Sequence, residues 1–507
     1  MKSNAQICVP VCVQRASDLR ETIIRASEAG DLIELRLDCL AGDERNAVLR
    51  ELSSMMDASR TLILTMRPKA EGGMTDISFE ERTRFWSSPE RFPPGAMIDV
   101  ELDLVSESGI RSFDPSRIIL SHHQFDGVSV NLDEMYERMA ATPAAVLKIA
   151  VPADDAVDCL PIFKILERSQ RDGRAMIAIG MGQAGVVTRI VGPSRGSFLT
   201  YGSLDDESAT APGQLTAREL REVYRIDHID RQTEITGLIG QPVGHSISPH
   251  IHNAAFAAFD INAAFIPFEV RDLEAFIRRM VRESSREIDW NVRGFSVTAP
   301  HKEAVMKHLD WIEPAAKEIG AVNTIVMQDS ALHGYNTDAA AFIAPLKEHF
   351  ASFRNLRCAV IGAGGAARGV VWALRREAAS VSLFARNAGK GKRLAEEFDV
   401  HAHDLAEADF KGFDVVINAT PLGTRGKHET ATPAKTAQLR GVRLAYDLVY
   451  NPLETLFMRE ARAAGAQTLG GLEMLIAQAV EQFKLWTGRN PDVMAMRAAA
   501  GLALSTK

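Results

Sequence analysis

Residues 146–150 read Val-Leu-Lys-Ile-Ala, a strand-length apolar run with a lysine at its centre. Seven further short apolar runs lie around it, at Ile7–Val13, Leu32–Leu37, Leu62–Met66, Met97–Leu102, Ile118–Leu120, Met176–Met181 and Phe198–Tyr201. Charge-rich segments with helical spacing separate them, among them Ala16–Ala29, Asp43–Met56, Leu132–Ala141 and Ala156–Arg171. Apolar strand followed by amphipathic helix, repeated in one direction, makes a parallel sheet. Eight such units predict a closed (β/α)8 barrel, whose chemistry gathers at the C-terminal ends of its strands. An open doubly wound sheet is the alternative that periodicity leaves standing.

Beyond the helix-like Ala217–Tyr224 the chain turns polar and aperiodic, which reads as a linker. A second strand-and-helix pattern begins at Ile235–Ile239. It restarts at Arg357–Cys358–Ala359–Val360–Ile361, which passes directly into Gly362–Ala363–Gly364–Gly365–Ala366–Ala367. The expected organisation is α/β throughout: a barrel over residues 1–225, a linker over 226–234, an α/β domain over 235–345 completed by helices in 473–505, and a Rossmann domain over 346–472.

The 507 residues carry 58 basic and 66 acidic side chains, a formal charge of −8, with 46% hydrophobic and 24% charged residues. That is ordinary globular composition and leaves no room for a long disordered region. Binding a polyphosphate chain needs clustered Lys and Arg, so no nucleic-acid partner is expected, while small anionic substrates fit. No apolar stretch approaches 18 residues, so no membrane partner is expected either. The five scattered cysteines, Cys8, Cys12, Cys39, Cys159 and Cys358, show neither a CxxC pair nor His at zinc spacing. They read as buried thiols of a reducing compartment, with no metal and a cytoplasmic location.

In the first half, polar residues fall where barrel strands should end: Glu34, Arg36, Arg67, Glu101, His122 and His123. Lys148 is the sharpest signal, because a strand lysine faces either the barrel interior or the helices around it. A neutral lysine amine attacks a ketone to give a Schiff base. A lysine that snorkels to solvent is the plain alternative.

Glu34-x-Arg36-x-Asp38, Arg67-x-x-x-Glu71-Gly72-Gly73, Ser121-x-His123-x-Phe125, Lys148 and Ala211–Pro212–Gly213–Gln214 together resemble type I 3-dehydroquinate dehydratase across nearly all of residues 5–225. The resemblance implies an imine between Lys148 and the ring ketone of 3-dehydroquinate. It makes His123 the base that removes the adjacent proton and helps the hydroxyl leave as water. His123, not His122, fits the serine-x-histidine spacing. By the same resemblance Glu71 orients His123, Arg189 clamps the substrate carboxylate, and Glu34, Arg36, Arg67 and Gln214 bind hydroxyls or close a lid. Thr210 stands where bacterial versions often have a serine.

In the second half, Gly362-x-Gly364-Gly365-x-Ala367 follows an apolar strand and opens a helix, the setting in which backbone amides meet a pyrophosphate. The next apolar strand, Val381–Phe384, ends in Ala385–Arg386–Asn387, with Lys390, Lys392 and Arg393 close behind. NAD calls for an acid at this strand end, whereas an arginine suits a 2′-phosphate, so NADP is the expected cofactor. A solvated basic helix start is the plainer alternative.

Around this unit lie Gly244–His245–Ser246–Ile247–Ser248–Pro249, Thr298–Ala299–Pro300–His301–Lys302, Ile319–Gly320–Ala321–Val322–Asn323–Thr324 and Gly334–Tyr335–Asn336–Thr337–Asp338. With Asn418–Ala419–Thr420–Pro421–Leu422–Gly423, Asp447-x-Val449–Tyr450–Asn451–Pro452 and Gly471-x-Glu473–Met474–Leu475-x-x-Gln478, they resemble shikimate dehydrogenase. The resemblance implies Lys302 and Asp338 as the catalytic pair beside the carbonyl that accepts hydride. It places Ser246, Ser248, Thr298, Asn323, Tyr450 and Gln478 around the substrate, and Gly362, Gly364, Gly365, Ala366, Arg386, Asn418, Thr420 and Gly471 around NADP. Ser296 stands where asparagine is common, which bears on the choice between shikimate and quinate.

Together the two resemblances imply a fused enzyme of the plant type. It would dehydrate 3-dehydroquinate to 3-dehydroshikimate and reduce that product with NADPH to shikimate. The alternatives are a second half that prefers quinate, and a quinate-pathway sensor that binds without turnover.

Overall fold

In the computed structural model the described residues are 5–55, 61–105, 108–125, 131–426 and 428–505. The chain forms two compact units, one running to residue 235 and including 262–291, the other made of 236–261 and the chain from 292 onward.

Eight parallel strands build the first unit: β1 (Ile7–Val11), β2 (Leu32–Arg36), β3 (Thr61–Thr65), β4 (Met97–Glu101), β5 (Ile118–His123), β6 (Val146–Pro152), β7 (Ala175–Met181) and β8 (Thr200–Tyr201). Their order is β7-β6-β5-β4-β3-β2-β1-β8. A parallel bridge between Met176 and Ser197 brings the segment before β8 back onto β7, so the sheet curls into a barrel and the open-sheet alternative falls away.

Strand side chains alternate, so inward positions recur every two residues. Cys8, Leu32, Ile63, Ile119, Val146 and Ile177 form one apolar cluster inside the barrel. One layer towards the C-terminal ends, the same alternation presents Glu34, Thr65, Ser121 and Lys148, all buried. The apolar floor thus sets the height at which polar groups begin.

The cysteine expectation needs a correction. Cys8, Cys159 and Cys358 are buried thiols, but a disulfide joins Cys12 to Cys39, with Cα atoms 5.5 Å apart. β1 and β2 pair in parallel, so residues just past their ends become neighbours although 27 positions separate them. Within residues 226–234, read as a linker, Ile226 and Ile229 are buried.

Later strands are β9 (Glu234–Gly240), β10 (Ala263–Glu269, in the first unit), β11 (Asn291–Val297), β12 (Trp311–Ile312), β13 (Thr324–Gln328) and β14 (Ala331–Tyr335). Five of them run in the order β9-β11-β13-β14-β12, with β13 antiparallel to both neighbours. Helix Val493–Ser505 packs on helix Ser248–Ala258, so the chain's end supports this part of the second unit.

The last sheet holds β15 (Arg357–Ile361), β16 (Ser380–Ala385), β17 (His401–Asp404), β18 (Val415–Asn418), β19 (Leu444–Asp447) and β20 (Gln467–Leu469). The order β17-β16-β15-β18-β19-β20, with every pair parallel, is that of a dinucleotide-binding Rossmann sheet. Its strand order reverses between β15 and β18, beside the Gly362–Gly365 turn. Among the described residues no helix is long and apolar enough to cross a membrane, and no His, Cys, Asp and Glu cluster could hold a metal ion.

Candidate active sites

One cavity at the C-terminal end of the barrel is lined by Glu34, Arg36, Arg67, Glu71, His123, Lys148, Arg189, Thr210 and Gln214. These are the residues the first-half motifs and resemblance single out, drawn from β2, β5 and β6, from the segments after β3 and β8, and from helix Val186–Val191. Lys148 Nζ donates to Asp99 Oδ2 at 2.8 Å and to Tyr201 Oη at 2.9 Å, while Glu34 Oε1 stands 3.7 Å away. The lysine is 4% exposed, so the snorkelling alternative does not hold.

Asp99 and Tyr201 contact the amine, and the motif reading passed over both. Asp99 shares the inward parity of Glu101 two residues on, a signal the sequence contained. Arg67 ties this layer together, donating to Asp99 at 2.7 Å, Glu101 at 2.9 Å and Ser121 Oγ at 2.8 Å. Burial by itself would push the Asp99 carboxyl up, yet Arg67 and Lys148 hold it well below the usual carboxylate range. Asp99 therefore stays a carboxylate beside the amine.

His123 Nδ1 lies 3.4 Å from Glu71 Oε2, and the same oxygen accepts the His123 backbone N–H at 3.0 Å. Burial, then the nearby cations Arg67 and Lys148, push the imidazole well below its ordinary value. Burial also pushes Glu71 up to about 7, against the pull of Arg67. The environment thus favours a neutral imidazole, the form that can take a proton from carbon. His122 takes the other face of β5, near Arg138 on helix Leu132–Ala140, and does not line the cavity.

Arg36 is held in a two-pronged pair with Asp38, at 2.9 and 2.8 Å, and Asp38 in turn accepts the backbone N–H of Met74. Arg189, by contrast, is 2% exposed, faces no carboxylate among the described residues, and keeps a buried Nε without a partner. Burial pulls its guanidinium down to about 10. A buried cation facing no carboxylate among the described residues suits an anionic guest. At the rim, Gln214 Oε1 accepts from the Thr210 backbone N–H at 2.8 Å. Gly213 (φ +69) packs against Gly182, where a Cβ would come within 2.2 Å of the Gly182 carbonyl, so glycine lets the turn carrying Gln214 lie close against the end of β7.

In the second unit, Lys302 Nζ donates to Asp338 Oδ2 at 2.5 Å, and Asn323 Nδ2 donates to Asp338 Oδ1 at 2.8 Å. Lys302 is also pinned through its carbonyl, which accepts the Val322 N–H at 2.8 Å. Ser246 Oγ accepts the Ser248 N–H at 3.1 Å and also meets the Tyr450 hydroxyl, whose titration burial pushes up. Thr298 follows β11 and donates its N–H to Ile239 of β9. Gln478 donates to the Leu475 carbonyl of its own helix, and no bond joins it to the Lys302 group. Ser296 is buried and donates to Gln482 Oε1 at 2.8 Å, which commits its hydroxyl internally; Gln482 is another residue the motifs did not mark.

Of the residues expected around NADP, all but Gly471 lie at the C-terminal ends of β15, β16 and β18, and Gly471 follows β20. Gly362 (φ +125) crosses within 2.9 Å of the Ala419 carbonyl at the Cβ position, so only glycine lets the β15 and β18 turns approach. Gly364 caps helix Gly365–Arg376 without a side-chain bond and has open space where a Cβ would stand, which leaves backbone N–H groups free for an anion. Arg386 is exposed just past β16. Asn418 is fully buried, accepting from Thr420 N and Oγ1 and donating to Leu422 O and Asp447, so it shapes its own turn. Gly471 packs on the Leu448 carbonyl.

Comparison with known proteins finds relatives of both halves of the chain. The type I 3-dehydroquinase family model matches residues 7–231. The shikimate dehydrogenase substrate binding domain matches 238–325, shikimate/quinate 5-dehydrogenase 345–439, and the shikimate 5′-dehydrogenase C-terminal domain 471–500. The chain is similar to the chloroplastic bifunctional 3-dehydroquinate dehydratase/shikimate dehydrogenase of Arabidopsis thaliana, at 34% identity over 96% of this chain and 83% of the relative. The NADP+ shikimate dehydrogenase of Methanococcus maripaludis is 36% identical over 54% of this chain and 98% of its own length. A crystal structure of a shikimate dehydrogenase in complex with NADP+ is 36% identical, covers 54% of this chain and 97% of its own, and has a TM-score of 0.50.

Proposed function

From the premise that the chain belongs to the bifunctional 3-dehydroquinate dehydratase/shikimate dehydrogenase family, we propose which residues carry each reaction. The chain is a lyase and an NADP-dependent oxidoreductase of the shikimate pathway. The observation that carries the first assignment is a lysine at the heart of the barrel, held by Asp99 and Tyr201, on the same cavity as a neutral histidine.

Lys148 attacks the ring ketone of 3-dehydroquinate and, with loss of water, becomes a protonated imine. The carbon beside it is acidified, because the cationic nitrogen accepts the electron pair left when a proton departs. His123 Nε2 or Nδ1, neutral in its surroundings, takes that proton and returns it to the leaving hydroxyl, while Glu71 sets the ring's orientation. Arg189 receives the substrate carboxylate and thereby fixes which carbon faces His123. Glu34, Arg36, Arg67, Thr210 and Gln214 complete the wall around the ring hydroxyls.

The second site is a proton-handling pair. NADPH, when bound, supplies hydride. The Gly362–Gly365 turn and the uncapped helix start suit its pyrophosphate, Thr420 and Gly471 border the same cradle, and Arg386 suits a 2′-phosphate. A carbonyl reduced to an alkoxide needs a proton, which Lys302 Nζ is placed to give, and Asp338, braced by Asn323, holds that ammonium in line. Ser246, Ser248, Thr298, Tyr450 and Gln478 are assigned to the substrate's carboxylate and hydroxyls.

The test is borohydride added during turnover of 3-dehydroquinate. A stable adduct on the peptide carrying Lys148, absent from Lys148→Ala, is the expected result. An unchanged protein mass would overturn the imine assignment. Reduction of added 3-dehydroshikimate by Lys148→Ala should remain near that of the unmodified enzyme.

A further inference from the structure

Tyr201, the last residue of β8, touches the amine and has no part in the chemistry above. Its side chain is 95% buried, its register against Cys8 of β1 fixes its height in the barrel, and its ring centre lies 4.4 Å from Lys148 Nζ. Burial pushes the phenol well above its ordinary value, so the hydroxyl is neutral and can accept a hydrogen bond without competing for the proton.

The count of N–H bonds gives this contact its meaning. A neutral lysine amine has two N–H bonds and one lone pair, arranged tetrahedrally with the carbon stem. Two acceptors lie within hydrogen-bond distance of Nζ, Asp99 Oδ2 at 2.8 Å and Tyr201 Oη at 2.9 Å; Glu34 Oε1, at 3.7 Å, is out of reach. If both N–H bonds are taken up, the lone pair has one direction left. We propose that Tyr201 is a positioning residue for Lys148, whose hydroxyl, with Asp99, occupies both N–H bonds of the amine and directs its lone pair at the ketone.

The contact belongs to one step only. In forming the imine, the Nζ lone pair makes the C–N bond and the carbonyl π pair moves to oxygen. Overall an ammonium and a ketone give a protonated imine and water: one of three N–H protons stays on nitrogen and two leave with the oxygen. A protonated imine retains a single N–H, which the Asp99 carboxylate claims, so the Tyr201 hydroxyl is released once the bond has formed. Its loss should slow attack on the ketone and leave the later proton abstraction by His123 unaffected.

This inference rests on the imine reading of Lys148, and one experiment separates the two. Tyr201→Phe removes a single oxygen and keeps the ring. The variant should show a dehydration kcat about tenfold lower with KM within about twofold, the scale expected when a nucleophile loses its orientation. Single-turnover borohydride trapping should slow by the same factor. With substrate deuterated on the carbon beside the ketone, the isotope effect should fall towards one, because bond formation then limits the rate. Reductase activity and the melting temperature of the same sample report on folding. If the unmodified enzyme gives no adduct, the imine reading fails. If it does and Tyr201→Phe traps at an unchanged rate, or loses kcat only in step with its melting temperature, the positioning role fails.

Discussion

Arg189→Met should make the first unit more stable and nearly useless at binding its substrate. The arginine lies in helix Val186–Val191, is 2% exposed and faces no carboxylate among the described residues. Burial pulls it down to about 10, against about 12.5 for a free guanidinium. At 1.36 kcal/mol per pH unit, that difference is a cost of roughly 3 kcal/mol for holding the cation in the folded state. Because the folded value lies below the unfolded one, the cost is present in full at pH 7 and shrinks only as pH rises past about 10. Methionine fills similar space with an unbranched apolar chain, so relief of roughly 1–3 kcal/mol is expected, or about 2–8 °C in the melting temperature of a unit this size. The opposite change is expected in binding. Losing a charge-assisted contact to a carboxylate costs about 1.5–3 kcal/mol, so KM for 3-dehydroquinate should rise roughly 10- to 200-fold. Differential scanning calorimetry and dehydration kinetics on one preparation measure both. A variant that melts lower and keeps its KM would refute the reasoning, since Arg189 would then be a structural brace and not a vacant anion receptor.

Four further outcomes follow from the geometry. His123→Ala should lower the dehydration rate by about 10²–10⁴, and His122→Ala, whose ring does not line the cavity, should change it little; the reverse ranking would shift the assigned base by one residue. Since burial pushes Glu71 up to about 7, the unmodified dehydratase should show an inflection near neutral pH that Glu71→Gln lacks, as read from kcat against pH. A raised carboxyl also costs the folded state nothing below about 4.5 and progressively more as pH climbs from there to about 7, so Glu71→Gln should gain stability relative to the unmodified chain across that window and keep the gain above it. Lys302→Ala and Asp338→Ala should cut the reduction rate far more than NADPH affinity, measured by calorimetry, with dehydration unchanged. Arg386→Ala should raise KM for NADPH about 10- to 100-fold and leave that for NADH nearly constant, because only the former carries a charge for the guanidinium to meet.

Much of this was legible along the chain. Strand alternation and helical spacing are local properties, so the eight barrel units, the glycine turn after β15 and the basic end of β16 can be read without a fold in hand. The motif residues of the first site converge on a single cavity because they already sat at predicted strand ends. What escaped were groups whose residue type is unremarkable where it stands. Tyr201 reads as an ordinary aromatic strand residue, and Asp99 as one of two acids in Ile98–Asp99–Val100–Glu101. Their contacts with Lys148 span 53 and 49 positions.

The sequence by itself determined the architecture and, through its resemblance to two known families, pointed to the two chemistries and to Lys148, His123, Lys302 and Asp338, because the motifs that carry the resemblance are spacings within a few residues. Tertiary structure decided the rest. Pairing of β1 with β2 brought Cys12 beside Cys39, alternation along β5 turned His123 towards the cavity and His122 away from it, and the curl of the sheet set Asp99 and Tyr201 on the amine. It also left Arg189 buried with no carboxylate facing it among the described residues. Such properties depend on which distant groups are near and which are missing, and a buried charge acquires its energy from that surrounding alone.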